Sequence, residues 1–439
     1  MTRPYTPMLG KAASSGLVMV LVALAVRLAA LSSFQAYHIP SDQGHYAFGG
    51  EMGRIARSIV TGGGFGSPYD GRTGPSAIVG PVYPYLLAGV FKVFGTYTGA
   101  SAWAILGLNS LFSALTCLPI RALARQTFGR DVGAVAGWTW VVFPYAIYWP
   151  LRWAWDTSLS ALLFASVLLV AVRLAGSVRV RDWIAFGFLG ALAVLVNTTM
   201  LAVVVIVIGW LAHQCHRRAE RWARLAAAAF VAIALGLTPW LVRNYFAFGH
   251  FVLRSNLGLE LYQGNYHQRT GLRDASLDPA YNKTEMAEYK AMGELPYMAE
   301  KQRQTLDFIR ERPGTFAWLS FRRMIYFWTG TAEIVVPGRL LESLAFYTLV
   351  SVLAFTGLFL ARGRATGYVA LFATVLMIYP LPYYFTHPDS RFRHLMEPEL
   401  VMLAAYAAAS SVAVLWRTRR REDPQGRHFG DYEQAREVG

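Results

Sequence analysis

A chain of 439 residues that is 55% hydrophobic and 15% charged, with a mean hydropathy of +0.34, falls outside the soluble globular and the disordered classes. Its formal net charge of +15, from 41 Lys and Arg against 26 Asp and Glu, reads as membrane-topology signal and anionic-lipid contact, and no nucleic-acid partner is expected. Cys117, within an apolar block, and Cys215, beside a basic cluster, leave no basis for a disulfide framework or a Cys-based zinc site.

The first apolar block, Gly16 to Leu31, has no small-residue cleavage site behind it and reads as a span rather than a signal peptide. Ala100 to Ile120, Val132 to Tyr148 and Ser158 to Val172 follow, then Trp183 to Leu211 and Leu225 to Val242. Leu344 to Leu360, Tyr368 to Tyr384 and Leu400 to Trp416 complete the set; several fall short of the roughly 20 residues a span needs, so each must borrow flanking residues or sit among other helices. Trp183 to Leu211 is flanked by arginines at both ends, so a hairpin turning at Asn197-Thr198-Thr199 keeps both clusters in the cytoplasm. That gives about ten spans with both termini cytoplasmic. The outside segments are then Phe34 to Thr98, Trp149 to Thr157, Arg243 to Glu342 and Phe385 to Pro398.

The first outside segment carries Asp42 and Glu51, Arg54 and Arg57, and a Gly62-Gly63-Gly64-Phe65-Gly66 run. Met52, Ile55, Ala56 and Ile59 recur at helical spacing, which predicts an amphipathic interfacial helix with Glu51, Arg54 and Arg57 or Ser58 on its polar side. The glycine run lacks the Lys-Ser/Thr of a P-loop and reads as a turn. Asp156, where a short outside loop meets the fourth span, has two readings: a helix cap, or an acid facing the same surface as the first loop. Arg152 is a candidate ion-pair partner for it. Arg243, Arg254, Arg391 and Arg393 stand at the outer membrane face, with His387 nearby; guanidinium forks in such places suit a phosphate, although snorkelling explains any one of them taken singly. Helices are expected over Glu285 to Met292, Tyr297 to Arg310 and Phe316 to Trp328, the last lying on the membrane without crossing it. Asn282-Lys283-Thr284 is a formal glycosylation sequon to which no role is given.

With these pieces placed, residues 15 to 416 resemble the GT-C glycosyltransferases of family 39, which include the protein O-mannosyltransferases and the bacterial aminoarabinose transferases acting on lipid A. The landmarks are Asp42-Gln43-Gly44-His45-Tyr46, Gly80-Pro81-Val82-Tyr83-Pro84 leading to Phe94-Gly95, Asp156, Pro239-Trp240 to Asn244-Tyr245, and Arg391-Phe392-Arg393-His394-Leu395-Met396-Glu397-Pro398. In the family the acid–x–x–x–Tyr motif runs directly into its helix. Here an insertion separates Asp42 to Tyr46 from Ala56-Arg57-Ser58-Ile59, and Glu51 stands closer to that helix, so the choice between Asp42 and Glu51 stays open.

The resemblance implies an all-α, multi-pass GT-C-like helical bundle with interfacial helices and an outward-facing loop domain, in a bacterial inner membrane. It implies transfer of a sugar from a polyprenyl-phosphate carrier to an acceptor hydroxyl of a protein, lipid or polysaccharide on the outer face, by single displacement with inversion. The chemistry agrees with this: a hydroxyl needs a carboxylate to take its proton, and a departing phosphate needs cations or a metal. Asp42, Glu51 and Asp156 are the candidate catalytic acids. Arg243, Arg254, Arg391 and Arg393 are the candidate phosphate ligands, and Arg54, Arg57, Tyr83 and His387 the candidate acceptor or accessory residues. Asp42 and His45 are compatible with a divalent metal, yet a bare Asp/His pair assigns none, and no other cofactor is implied. The domain reading is a membrane module over 1–242 with its catalytic loop at 34–98, a loop domain over 243–342, a second membrane module over 343–416 and a cytoplasmic tail over 417–439. The competing class is a transporter, flippase or binding protein for lipid-linked sugars. A transporter favours intramembrane ionisable residues along a path, and often internal repeats.

Overall fold

The computed structural model describes residues 15–39, 46–218, 221–266, 270–330, 340–363 and 366–422. Among them the regular structure is helical, and the β content is a single isolated bridge between Gly66 and Pro75. The helices are α1 (Gly16–Ser33), α2 (Glu51–Val60), α3 (Val82–Phe94), α4 (Gly99–Leu115), α5 (Cys117–Phe128), α6 (Arg130–Val142) and α7 (Pro144–Arg152). Next come α8 (Thr157–Leu174), α9 (Val180–Val196), α10 (Met200–Arg217), α11 (Trp222–Phe248), α12 (Leu257–Asn265), α13 (Lys283–Met292), α14 (Glu294–Glu311) and α15 (Pro313–Thr329). The chain ends with α16 (Leu340–Ala361), α17 (Thr366–Ile378), α18 (Leu381–Phe385), α19 (Ser390–His394) and α20 (Glu397–Glu422).

The protein is a multi-pass membrane protein. Among the described residues, seven helical segments are long and apolar enough to cross a bilayer: Gly16–Ser33, Gly99–Phe128, Thr157–Leu174, Met200–Arg217, Trp222–Phe248, Leu344–Ala361 and Gly367–Phe385. The ten-span reading counts α6, α9 and α20 as well. The Trp183 to Leu211 stretch does break at Asn197–Thr199, between α9 and α10. Helix α20 runs on through Glu422, past Trp416, where the sequence placed the end of the last span.

Close helix packing uses small residues, as expected where lipid supplies no hydrophobic drive between helices. A Cβ on Gly187 of α9 would meet the Ala229 carbonyl oxygen of α11 at 2.5 Å. One buried cation ties four helices together. Arg27 of α1 donates to Ser113 Oγ of α4 (2.9 Å), to the carbonyls of Trp140 (3.1 Å) and Val141 (3.2 Å) in α6, and to that of Ala146 (3.0 Å) in α7. The Trp140 and Val141 carbonyls are available because Phe143 is extended and Pro144 starts a new helix, and the Ala146 carbonyl because the residue four further on, Pro150, has no N–H to offer it.

In the long segment after α11, α13, α14 and α15 follow the three helices read from the sequence, each extended by a few residues. Asn282 caps α13, its side chain accepting from the Thr284 and Glu285 amides, which accounts for the sequon without a glycan.

Candidate functional site

Four backbone approaches draw distant segments to one end of the bundle. The Ala154 amide donates to the Ala47 carbonyl at 2.8 Å. Gly49 packs against the Ala154 carbonyl at φ +97, where any Cβ would collide with that oxygen. Glu51 is thereby brought up to Trp155 and Asp156. Beyond α11, Trp240 Nε1 donates to the Leu253 carbonyl (2.9 Å) and Asn244 Nδ2 to that of Val252 (2.7 Å). The chain folds back so that the Ser255 amide meets the Ala77 carbonyl at 3.0 Å. Glu294 of α14 clamps both strands of this junction, Oε1 accepting from the Ala77 amide (2.6 Å) and Ser255 Oγ (2.7 Å). Gly80 abuts the Leu195 and Val196 carbonyls at the end of α9, and Gly264 of α12 abuts the Thr386 carbonyl.

The result is a cavity of about 550 Å³. Its wall draws on residues 50–80, 155–157, 196–197, 254–281 and 391–395, and so on every segment that the arginine pattern placed outside, plus the α9–α10 turn.

Asp156 lines the cavity and is 4% exposed. It stands at the N-cap position of α8 without a side-chain capping bond. Its Oδ2 instead accepts from Ser160 Oγ (3.2 Å) and Asn197 Nδ2 (3.1 Å), and Thr199 Oγ1 donates to Asn197 Oδ1 (2.8 Å), fixing which way that amide faces. Both bonds fall on Oδ2. Burial raises the Asp156 carboxyl above the usual range, opposed by the Arg254 and Arg391 charges and the two hydrogen bonds. Arg152 lies over the Trp153 ring instead, 5.3 Å from its centroid.

Glu51, on the first turn of α2, forms another part of the wall. Burial raises its carboxyl and the Asp278 charge adds to this, against its own backbone amide, Arg273 and Arg54. Asp278 is itself committed: it accepts from Arg273 and from Gln263 Nε2 (3.0 Å), and its Oδ1 takes the Ala280 amide (2.7 Å). Arg54 pairs with Asp70 through Nε at 3.0 Å.

On the basic side, Arg254 Nε donates to the Ile78 carbonyl at 2.9 Å, and its Nη2 lies 4.0 Å from Glu260 Oε1. Glu260 Oε2 meets His387 Nε2 at 2.6 Å. Burial alone would raise the Glu260 carboxyl, but the His387 hydrogen bond and charge, with Arg254 and Arg273, hold it well below the usual range. Arg391 sits over Trp155, 4.8 Å from the ring centroid, and its Nε is 3.2 Å from Asp389 Oδ2.

The remaining sequence candidates lie elsewhere. Arg243 is held by the Phe65 carbonyl, the Ser76 carbonyl (2.7 Å) and Asn244 Oδ1 (2.8 Å), beneath the Trp240 ring. Arg393 is buried, donating to the carbonyls of Trp328 (3.0 Å) and Tyr347 (3.1 Å). Arg57 is half-buried, 5.8 Å from the Tyr97 ring centroid. Tyr83 is buried and donates to Asn109 Oδ1 (2.8 Å), whose amide in turn reaches the Trp153 carbonyl (3.3 Å). Asp42 and His45 lie outside the described residues, among which no three His, Cys, Asp or Glu side chains converge as a metal site. The sequence reading did not single out Asn197, Gln263, Arg273 or Asp278 as site residues. Only Asn197 had a visible signal, a polar triad interrupting an apolar stretch.

The fold is that of the GT-C glycosyltransferases, as shown by the solved structures that the bundle matches. The oligosaccharyltransferase of Archaeoglobus fulgidus in complex with Zn and sulfate matches with a TM-score of 0.50 at 12% identity, over 91% of this chain and 49% of that one. The archaeal oligosaccharyltransferase AglB from the same organism, in complex with an inhibitory peptide and a dolichol-phosphate, gives 0.50 at 14% identity, over 94% and 52%. ArnT from Cupriavidus metallidurans bound to undecaprenyl phosphate gives 0.38 at 15% identity, over 90% and 78%. The chain thus spans about half the length of the archaeal enzyme. In sequence, residues 78–242, which include Asp156 and Asn197, match the dolichyl-phosphate-mannose-protein mannosyltransferase family. No curated protein matches the chain.

Proposed function

We propose that this protein is an integral-membrane glycosyltransferase that takes a sugar from a polyprenyl-phosphate donor and transfers it to an acceptor hydroxyl at the outer face of the membrane. The observation that carries this reading is the meeting of Glu51, Asp156, Arg254 and Arg391 in one cavity at the end of a GT-C bundle. The mannosyltransferase match over 78–242 supports the donor class, and the dolichol-phosphate of the archaeal complex supports it by analogy of fold.

The reaction divides between the two sides of the cavity. Arg254 and Arg391 hold the donor phosphate and stabilise the charge that grows on it as it leaves. The acceptor oxygen attacks the anomeric carbon as the bond from that carbon to the phosphate oxygen breaks, so the electron pair departs with the phosphate and the configuration inverts. The acceptor's proton goes to a carboxylate. Asp42 is the base that the acid–x–x–x–Tyr motif ranks first; of the described first-loop acids at the cavity, Asp70 is paired with Arg54 and Glu51 is the alternative base. Asp156, held by Asn197 and Ser160, orients the acceptor or the base.

Mass spectrometry of lipid co-purified with the protein tests this. A polyprenyl phosphate or its glycosylated form is expected, lost in Arg254→Ala with Arg391→Ala; its absence from the wild-type protein overturns the donor assignment. Orientation is tested by cysteine labelling with a membrane-impermeant maleimide. An introduced cysteine at exposed Glu311 should label in intact cells, and one at exposed Val178 only after permeabilisation; the reverse pattern places the cavity in the cytoplasm.

A further inference from the structure

We infer that Glu260 and His387 are positioning residues that set the Arg254 guanidinium for the donor phosphate. The inference rests on the phosphate-binding reading above. Glu260 is the only acid with an ion-pair contact to Arg254 among the described residues, and its own oxygens are both fixed. Oε1 takes the side-chain amide of Asn256 at 2.6 Å and Oε2 meets His387 Nε2 at 2.6 Å. Asn256 occupies the N-cap position of α12 yet makes no side-chain capping bond there, so its amide serves Glu260 instead of the helix end. His387 reaches Glu260 because of Gly264, one turn further along the same face of α12. The missing side chain at Gly264 lets the Thr386 carbonyl press onto the helix, and Asn265 Nδ2 locks the approach by donating to the Phe385 carbonyl at 2.9 Å. His387 is 1% exposed, so its imidazole is not competing with bulk water for this contact.

Two geometric constraints then act on one guanidinium. The Ile78 carbonyl holds Nε, and the Glu260 carboxylate faces Nη2. A long flexible side chain loses much rotamer freedom when it grips a ligand, and fixing it beforehand removes that cost from binding. The opposing effect is electrostatic, since a carboxylate beside Arg254 also repels a phosphate. The two effects predict opposite signs. If Glu260 were merely a neighbouring charge, its removal would tighten phosphate binding; if it positions Arg254, its removal weakens binding.

The test is the affinity of the purified full-length protein for undecaprenyl phosphate in detergent micelles, measured across a double-mutant cycle with thermal melting as a control for folding. Arg254→Ala should weaken binding about 10–100-fold, the scale of lost hydrogen bonds to a charged group. Glu260→Ala should weaken it about 3–10-fold in the wild-type background and have no further effect in the Arg254→Ala background, because residues acting through one another are non-additive. Glu260→Gln, which keeps the shape, is the second variant if Glu260→Ala fails to fold, and should weaken binding in the same direction. His387→Ala should weaken binding and His387→Gln, which restores an N–H donor, should recover it. Tighter or unchanged binding on loss of Glu260 overturns the inference, as does an equal loss in the Arg254→Ala background. A His387→Gln variant as weak as His387→Ala removes His387 from the role. If Arg254→Ala binds normally, the phosphate reading itself has failed and the positioning role falls with it.

Discussion

Arg391 and Arg393 stand two residues apart on the five-residue α19, and their surroundings have almost nothing in common. Residues at i and i+2 do not share a helix face. Arg391 is turned to the cavity over Trp155, while Arg393 is turned into the bundle, where it meets the carbonyls of Trp328 and Tyr347 and lies 4.5 Å from the Tyr347 ring centroid. Arg254 and Arg243 repeat the contrast at the exit of α11. Arg254 lines the cavity, and Arg243 bridges the Phe65 and Ser76 carbonyls of the first outer loop. The same residue type on neighbouring stretches of chain thus faces two ways, toward the cavity or toward the backbone frame that shapes it. Which way each guanidinium faces is decided by helix phase and by which loop lies opposite.

The partition is broken most severely by removing the base. General-base loss costs about 10²–10⁴-fold in rate, so Asp42→Asn should lower turnover by that order while polyprenyl-phosphate binding and melting temperature hold. If Asp42→Asn turns over normally and Glu51→Gln does not, Glu51 is the base; if both turn over normally, the displacement mechanism is wrong. The pH profile separates them further. Because burial raises the Glu51 carboxyl and transfer needs the ionised form, a Glu51 base makes the rate rise with pH through a midpoint above the ordinary glutamate range. Glu51→Gln should remove that limb.

Arg393→Ala comes next in size and acts on the frame. Removing a fully buried guanidinium with two carbonyl partners should destabilise the fold by about 3 kcal/mol or more, from lost charged hydrogen bonds and orphaned carbonyls. In the protein that survives, donor affinity should stay within about threefold, a shift of under 1 kcal/mol. Arg391→Lys should do the reverse. Its melting temperature should hardly move, and binding should weaken about tenfold, since a point charge cannot reproduce a bidentate fork on a phosphate. A donor-binding loss in Arg393→Ala that exceeds the loss in Arg391→Lys would place Arg393 with the ligand after all.

The sequence carried the frame further than the site. The arginine pattern groups four segments on one side of the membrane, and each of them contributes to the cavity wall, because charge asymmetry is a property of the linear chain. Asp156 was legible as either a cap or an acid, and only the direction of its side chain, toward Ser160 and Asn197, separates the two. Arg391 stands out over Arg393 in the sequence only by its place just before a span, since a five-residue helix gives no periodic pattern from which to read its phase. Arg273 and Asp278 were invisible for a different reason. Both sit in a loop of ordinary composition, and their relation to Glu51 depends on contact across more than two hundred residues of chain.

The smallest effect, and the finest test of the partition, lies within α2. Arg54 and Arg57 are one turn apart on its polar side, and the sequence treats them alike. Arg54 lines the cavity and pairs with Asp70; Arg57 is half-buried, its guanidinium 5.8 Å from the Tyr97 ring centroid, outside the cavity wall. A cation–π contact at such a partly exposed position contributes about 0.5–1 kcal/mol. Arg57→Ala should therefore lower stability by no more than that, and leave both donor affinity and turnover within about twofold of wild type, a change of under 0.5 kcal/mol. Arg54→Ala should instead change turnover, because it frees the Asp70 carboxylate and removes one of the cations that oppose protonation of Glu51. Its expected signature is a shift of the acidic limb toward higher pH, with donor affinity little changed. If Arg57→Ala moves that limb as far as Arg54→Ala does, the two arginines act on the site together, and cavity lining does not divide ligand-facing arginines from framework ones.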